Sequence, residues 1–124
     1  MPLIEVRTNV KKEKIPAGFL KRLSQKGSEL SLKPESLILA QINPDQIMSF
    51  AGTEEPCATV TFRCIGNIKD PKQIHVIAAE INKFISTELG IKPERFYTLY
   101  HDLAEDDVAY TGLVFTELKK KLGL

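Results

Sequence analysis

Two short segments of the chain repeat each other and fix its overall plan. Leu32-Lys33-Pro34-Glu35 precedes one strand-like segment, and Ile91-Lys92-Pro93-Glu94 precedes another one, 59 residues later. Before each of them comes a strand-like segment followed by apolar residues at helical spacing. The chain is therefore predicted to be a tandem β-α-β repeat of the α/β (α+β) class, with a four-stranded mixed sheet and both helices on one face.

The first half of the repeat reads as strand, helix and strand. Residues 3–10 are strand-like, and Pro16 stands where a helix can begin, because a missing N–H is harmless in the first turn. Gly27 is a weak point of that helix, which must end before Pro34, since the residue before a proline disfavours the α region. Residues 36–42 then read as a buried strand.

The second half follows the same plan. Residues 58–65 alternate like a strand, and Asp70 is a good helix N-cap with Pro71 behind it. Gly90 fits the end of the helix, and residues 95–101 form a further strand. The apolar face of this second helix is predicted to consist of Ile74, Ile77, Ala78, Ile81 and Ile85.

Both helices are predicted on one face of the sheet, so the other face must be buried against something else. Self-association is therefore expected from burial alone.

Composition limits the classes of partner. The chain has 124 residues, enough for one domain, of which 43% are hydrophobic and 27% charged, with a net charge of +1. No basic face points to nucleic acid, and no apolar run approaches the ~20 residues of a membrane span. There is no signal-peptide pattern, so we expect synthesis in the cytoplasm, and an extracellular role would need a non-classical route of secretion.

The cysteines and histidines do not suggest a metal site. Cys57 and Cys64 do not form a C-x-x-C pair, so we expect two free, packed thiols. His75 and His101 lack the spacing of metal ligands. We expect no metal and no cofactor.

Pro2 is the residue with the clearest chemical potential. A small residue after the initiator favours removal of Met1, which would leave a proline with a free secondary amine. An α-amino group titrates near ~7.7–8.0, and burial beside cations lowers its pKa, so this amine could act as a general base at neutral pH. If Met1 is retained, the nitrogen is a tertiary amide and Pro2 is only an N-terminal residue.

The central segment from Asn43 to Ala58, with the letters NPDQIMSFAGTEEPCA, resembles the signature of the macrophage migration inhibitory factor family. Pro2, Lys33-Pro34, Cys64-Ile65-Gly66 and residues 93–97 fall in register with it. The likeness covers roughly residues 1–115 and is closer to this family of the tautomerase superfamily than to D-dopachrome tautomerase.

The resemblance implies a homotrimer whose three sheets form an inner barrel, with an active site at each subunit boundary. There the proline would move a proton next to a carbonyl, and keto and enol forms of small aromatic keto acids such as phenylpyruvate would interconvert. By the same resemblance Pro2 is the catalytic base. The matched substrate-binding positions are Lys33, Ile65, Tyr97, Leu99, Val108, Tyr110 and Phe115.

Each of these positions also has a plainer interpretation. Lys33 alone would be a solvated residue at a helix end, Ile65 a core residue, and Tyr97 a packed strand aromatic. In the family, the lysine holds the carboxylate or carbonyl oxygen of the substrate, the matched isoleucine offers a backbone N–H, and the tyrosine comes from a neighbouring subunit. A cation near the proline would both lower the pKa of its amine and attract an anionic substrate.

Four positions depart from the family pattern. Leu99 replaces a frequent asparagine that is also lent across the interface, Tyr110 stands where a tryptophan is common, and Leu37 replaces a frequent aromatic. Cys57-Ala58-Thr59-Val60 breaks the C-x-x-C of some members, so no two-cysteine redox activity is expected. These changes bear on substrate preference more than on proton transfer.

Two functions therefore remain open from the sequence. One is an isomerase acting on phenylpyruvate- or dopachrome-type substrates. The other is a secreted, cytokine-like ligand of a cell-surface receptor with a vestigial pocket, because Lys12 and Asp45 match positions implicated in receptor contact. Lys12 could equally be a solvated charge in a lysine-rich loop.

Residues 116–124 form a tail beyond the usual end of the family. Val114, Phe115, Leu118 and Leu122 fall on one side of a predicted short helix that Gly123 could end. So short a helix is marginal alone, so we expect its apolar side to dock on the trimer near the pocket. The plainer alternative is a frayed, solvated terminus.

Overall fold

The predicted four-stranded mixed sheet is present. The computed structural model describes residues 2–66, 68 and 70–123. Its strands are β1 (Pro2–Thr8), β2 (Leu39–Asn43), β3 (Ala58–Cys64) and β4 (Phe96–Asp102). They lie in the order β2-β1-β3-β4, with β1 parallel to β2, antiparallel to β3, and β3 parallel to β4. Each parallel pair is one β-α-β unit, and the two units join through β1 and β3.

Two helices cover one face of this sheet, as predicted. They are α1 (Phe19–Ser31) and α2 (Pro71–Leu89). Phe19 of α1 stacks on Phe84 of α2 with ring centroids 6.0 Å apart. The side chains that both helices bury belong to one core with the strand residues Ile4, Val6, Val60, Phe62 and Cys64. At roughly 1.5–3 kcal/mol for each large apolar side chain, this burial is what holds the helices on the sheet.

The open face of the sheet is more polar than the burial argument assumed. From the register, Glu5, Arg7 and Arg63 lie on this face in the central strands, and Glu5 pairs with Arg7 at 3.4 Å. The exposed apolar side chains sit on the edge strands instead, as Leu39 on β2 and Leu99 on β4. The need for apolar burial therefore lies at the two edges of the sheet rather than across its whole face.

Two local predictions are corrected. Helix α1 begins at Phe19 and not at Pro16, because Gly18 takes a left-handed conformation just before it. The strand predicted as buried over residues 36–42 begins only at Leu39, which is 52% exposed on the edge of the sheet. Gly27 lies within α1 at a close contact with the chain before β2, since a Cβ there would lie 3.3 Å from Ile38.

The two helices that precede the repeated segments end on different residue types. After α2, Gly90 adopts the left-handed conformation (φ 67) and Ile91 is buried. After α1, no glycine is present, so Leu32 itself takes that conformation (φ 60) and its side chain is 77% exposed. A left-handed non-glycine residue costs roughly 1–2 kcal/mol. Because Leu32 forms the turn that ends α1, Lys33 is the first residue after this turn.

After β4 the chain forms a short hairpin and a last helix. A short hairpin pairs β5 (Ala109–Tyr110) with β6 (Leu113–Val114), and α3 (Phe115–Leu122) follows it. Gly123 ends α3 in the left-handed conformation, while Leu124 lies outside the described residues. In the described part of α3 no residue is fully buried, so its apolar side remains half open.

None of the described helices combines the length and the apolar character that crossing a lipid bilayer requires.

Candidate active site

Pro2 begins β1 and is fully buried on the helix-covered face of the sheet. Its partner in the antiparallel register is Cys64, the last residue of β3, and Ile65 comes next in the chain. The structure thus brings Pro2 and Ile65, which are far apart in sequence, to the same end of the sheet. Met1, whose removal the sequence predicts, lies outside the described residues.

Lys33 is held near this end of the sheet by the last turn of α1. The Ser28 hydroxyl donates to the Lys33 carbonyl at 2.5 Å, and the Lys33 N–H donates to the Ser31 hydroxyl at 3.3 Å. Burial raises the pKa of the Cys64 thiol, and the positive charge of Lys33 opposes that rise. The ammonium group is therefore close enough to act electrostatically on Cys64, the partner of Pro2.

Sequence reasoning missed a carboxylate at this place. Asp102, the last residue of β4, accepts a hydrogen bond from the Gly66 N–H at 3.1 Å, and the Leu103 N–H donates to the Cys64 carbonyl at 2.9 Å. These bonds fix the backbone on both sides of Ile65. In the sequence, Asp102 is only an acidic residue at the end of a predicted strand. Its place beside the site follows from the pairing of Cys64 with Asp102 in the sheet.

A groove of about 360 Å³ opens beside these residues. Its lining runs from Ile65 and Gly66 across to Asp102 and on along the chain as far as Glu105. A space of this size is at the lower end of the volumes typical of small-molecule sites.

Three of the predicted pocket residues form a second cluster further along the chain. The Phe115 N–H donates to the Val108 carbonyl at 2.9 Å, and the rings of Phe115 and Tyr110 lie 6.5 Å apart. The tail helix braces this cluster, because Lys119 forms a 2.7 Å ion pair with Glu105. In addition, the Thr116 hydroxyl donates to Asp106.

Tyr97 and Leu99 do not reach Pro2 of their own chain. Both lie on the open face of β4, whereas Pro2 and Cys64 lie on the helix-covered face. Tyr97 pairs with Thr59, five residues before Cys64, which at 3.3 Å per residue separates it from Pro2 by about 17 Å along the strands. One chain alone therefore does not assemble all the predicted site residues.

The other predicted positions are located as follows. Leu37 is half-buried at the end of a 3-10 turn before β2, and both cysteines are buried with free thiols. The Lys12 N–H donates to the Asp45 carboxylate at 3.4 Å, and the Lys11 ammonium lies 3.9 Å from it, so these loops are neighbours. Within residues 2–66, 68 and 70–123, no three His, Cys, Asp or Glu side chains are grouped as metal ligands would be.

Comparison with known proteins gives one consistent answer. The family model described as macrophage migration inhibitory factor (MIF) matches residues 1–116. The macrophage migration inhibitory factor of Rattus norvegicus is 34% identical over 115 residues, which are 93% of this chain and 99% of the relative. A homolog from Trichinella spiralis is 33% identical over 93% of this chain and all of the relative.

Solved structures agree with the sequence comparison. The Trichinella spiralis factor has a TM-score of 0.88 at 33% identity, covering 91% of this chain and 99% of that one. The homologue from Prochlorococcus marinus has a TM-score of 0.84 at 26% identity, covering 91% and 98%. Residues 117–124, most of α3, lie beyond the family match.

Proposed function

Because the chain belongs to the macrophage migration inhibitory factor family, we propose that it is an isomerase that interconverts keto and enol forms of phenylpyruvate- and dopachrome-type substrates. The observation that carries the proposal is the burial of Pro2 at the start of β1, opposite Cys64, a residue on whose thiol the positive charge of Lys33 acts. A base beside a cation is what proton abstraction next to a carbonyl requires.

The proposed reaction needs only groups of the protein. After removal of Met1, the Pro2 nitrogen takes a proton from the carbon next to the substrate carbonyl, and the C–H electron pair moves to form the enolate. Lys33 and the backbone N–H of Ile65 stabilise the negative oxygen. The protonated proline then returns the proton to that oxygen, which gives the enol, and the reverse sequence gives the ketone.

The complete site requires more than one copy of the chain. We propose a homotrimer in which Tyr97 and Leu99 of a neighbouring subunit join Pro2, Lys33 and Ile65. The apolar residues exposed on both edge strands support such an assembly, as does the distance of Tyr97 from Pro2 within one chain. The cluster of Val108, Tyr110 and Phe115 would complete the apolar wall.

The test combines one mass measurement with one assay. The mature protein should lack Met1 by mass spectrometry and should tautomerise phenylpyruvate. Pro2→Gly, and a matched protein in which Met1 is verifiably retained, should each lose about 10²–10⁴-fold in kcat/KM, the usual contribution of general-base catalysis. Turnover at the mature rate with Met1 in place would exclude Pro2 as the base.

One contact between two loops favours a second function, the binding of a cell-surface receptor. The adjacency of Lys12 and Asp45 supports a receptor-binding surface on a protein that leaves the cytoplasm by a non-classical route. The two functions are separable, since Pro2→Gly should abolish tautomerase activity but leave a receptor-dependent cell response intact. Lys12→Ala should do the opposite.

A further inference from the structure

Arg95 is a buried cation whose role the proposed reaction does not explain. It lies just before β4 and is only 7% exposed. Its guanidinium donates four hydrogen bonds, all to backbone carbonyls of a single loop. The acceptors are Pro56 at 3.0 Å, Phe50 at 3.0 Å, Glu55 at 3.0 Å and Thr53 at 3.3 Å. Bonds from a charged donor are among the strongest in proteins, so this loop is firmly held.

Phe50 connects this anchored loop to the pocket residue Tyr97. The Arg95 guanidinium lies 5.6 Å from the centre of the Phe50 ring, and the Phe50 ring is 5.3 Å from that of Tyr97, tilted by 48°. Phe50 is itself fixed by paired backbone hydrogen bonds with Thr53 at 2.9 and 3.1 Å. Arg95, Phe50 and Tyr97 therefore form a continuous row of contacts, from a buried charge to an exposed ring.

Within its own chain Tyr97 is 65% exposed, so few other contacts of that chain hold its ring. Its one ring–ring contact among the described residues is with Phe50. An exposed tyrosine without this neighbour would rotate among several side-chain positions, and a substrate would have to fix it on binding.

We propose that Arg95 is a positioning residue that sets the orientation of Tyr97, acting through Phe50. The inference rests on the proposed function, in which Tyr97 lines the pocket of a neighbouring subunit. Lysine cannot replace Arg95, since a single ammonium cannot reach four carbonyls in the way that a planar fork does.

A double-mutant cycle in the full-length protein tests the proposal. Arg95→Ala should raise KM for phenylpyruvate about two- to tenfold, the fold-change expected for a lost aromatic contact. In a Tyr97→Ala background the same substitution should raise KM no further, because its target is already gone. Equal effects of Arg95→Ala in the two backgrounds, or an unchanged KM in the single variant, would overturn the proposal.

Three further variants distinguish this role from a folding defect. Phe50→Leu keeps an apolar side chain and all four carbonyls but removes the ring, so it should raise KM to a similar extent and should also lose its effect beside Tyr97→Ala. Arg95→Lys should not restore the wild-type KM. Arg22→Ala is the matched control, because it removes a partly buried arginine paired with Glu88 at 2.7 Å on the helical side of the molecule. A KM raised equally by Arg22→Ala would mean that general destabilisation explains the result.

A measurement without catalysis separates this inference from the proposed function. In protein labelled with 3-fluorotyrosine, the ¹⁹F resonance of Tyr97 should shift and broaden in Arg95→Ala, while those of Tyr100 and Tyr110 stay in place. If the wild-type protein has no tautomerase activity, the proposed function fails, and this spectrum still decides whether Arg95 orients Tyr97. An unchanged Tyr97 resonance would overturn the inference whatever the activity.

Discussion

Pro2 and Tyr97 lie on opposite faces of the same sheet, five residue positions apart along the strands. A substrate held at Pro2 therefore cannot contact Tyr97 of the same chain. If both residues belong to one active site, that site must be formed by two copies of the chain.

Subunit mixing should restore activity to two inactive variants. Pro2→Gly removes the base, and Tyr97→Asp puts a charge in the pocket wall, so each protein refolded alone should be nearly inactive. Random co-assembly after refolding an equimolar mixture should regenerate about a quarter of the wild-type sites. Phenylpyruvate turnover measures the gain, and light scattering should give three times the chain mass. A mixture no more active than its components would contradict a shared site.

Lys33→Ala should weaken the binding of anionic substrates selectively. Loss of the contact with the enolate oxygen should lower kcat for both substrates, but only phenylpyruvate also loses a contact with its carboxylate. Its KM should therefore rise about tenfold, a charge-assisted contact of roughly 1.5 kcal/mol, and that of a dopachrome ester much less. Lys92→Ala is the matched control, because it changes the corresponding residue of the second repeat, which is exposed. An equal rise in KM for both substrates in Lys33→Ala would argue against a carboxylate-binding role.

Truncation after Thr116 should loosen the pocket cluster. It removes the ion pair between Lys119 and Glu105 and most of the helix behind Phe115. We expect a lower melting temperature, weaker self-association and a KM raised about two- to fivefold, in keeping with the modest value of exposed ion pairs. Lys121→Gln, which keeps the helix and that ion pair, should leave all three unchanged. A truncated protein identical to the full chain would show that the tail has no role in assembly or binding.

Leu32→Gly should stabilise the protein. Leu32 occupies a left-handed conformation with its side chain 77% exposed, so glycine removes the strain at little cost in packing. We expect the free energy of unfolding in urea to rise by about 0.5–1 kcal/mol at a fixed protein concentration. Leu20→Gly, at an exposed position within α1, should instead lower it. A less stable Leu32→Gly protein would mean that contacts of the leucine outweigh the strain.

The order of strands and helices in the four-stranded sheet could be predicted because its signals are local, whereas the short hairpin of β5 and β6 was not predicted. Asp70 does cap α2, accepting a hydrogen bond from the Lys72 N–H at 2.9 Å, and Gly90 ends that helix as its position predicted. Helix α1 stops before Lys33-Pro34 for the same kind of reason. Apolar periodicity, caps and prolines act within a few residues, so the sequence alone carries them.

The tertiary structure decided what those elements bring together. Lys33 and Lys92 stand in nearly identical segments, yet only Lys33 follows a left-handed leucine, and its charge acts on the Cys64 thiol. The separation of Tyr97 from Pro2, and the hold of Arg95 on Phe50, likewise depend on strand register and on contacts between residues some 40 or more positions apart. Such contacts are set by the packing of the whole core, so no local pattern in the sequence could reveal them.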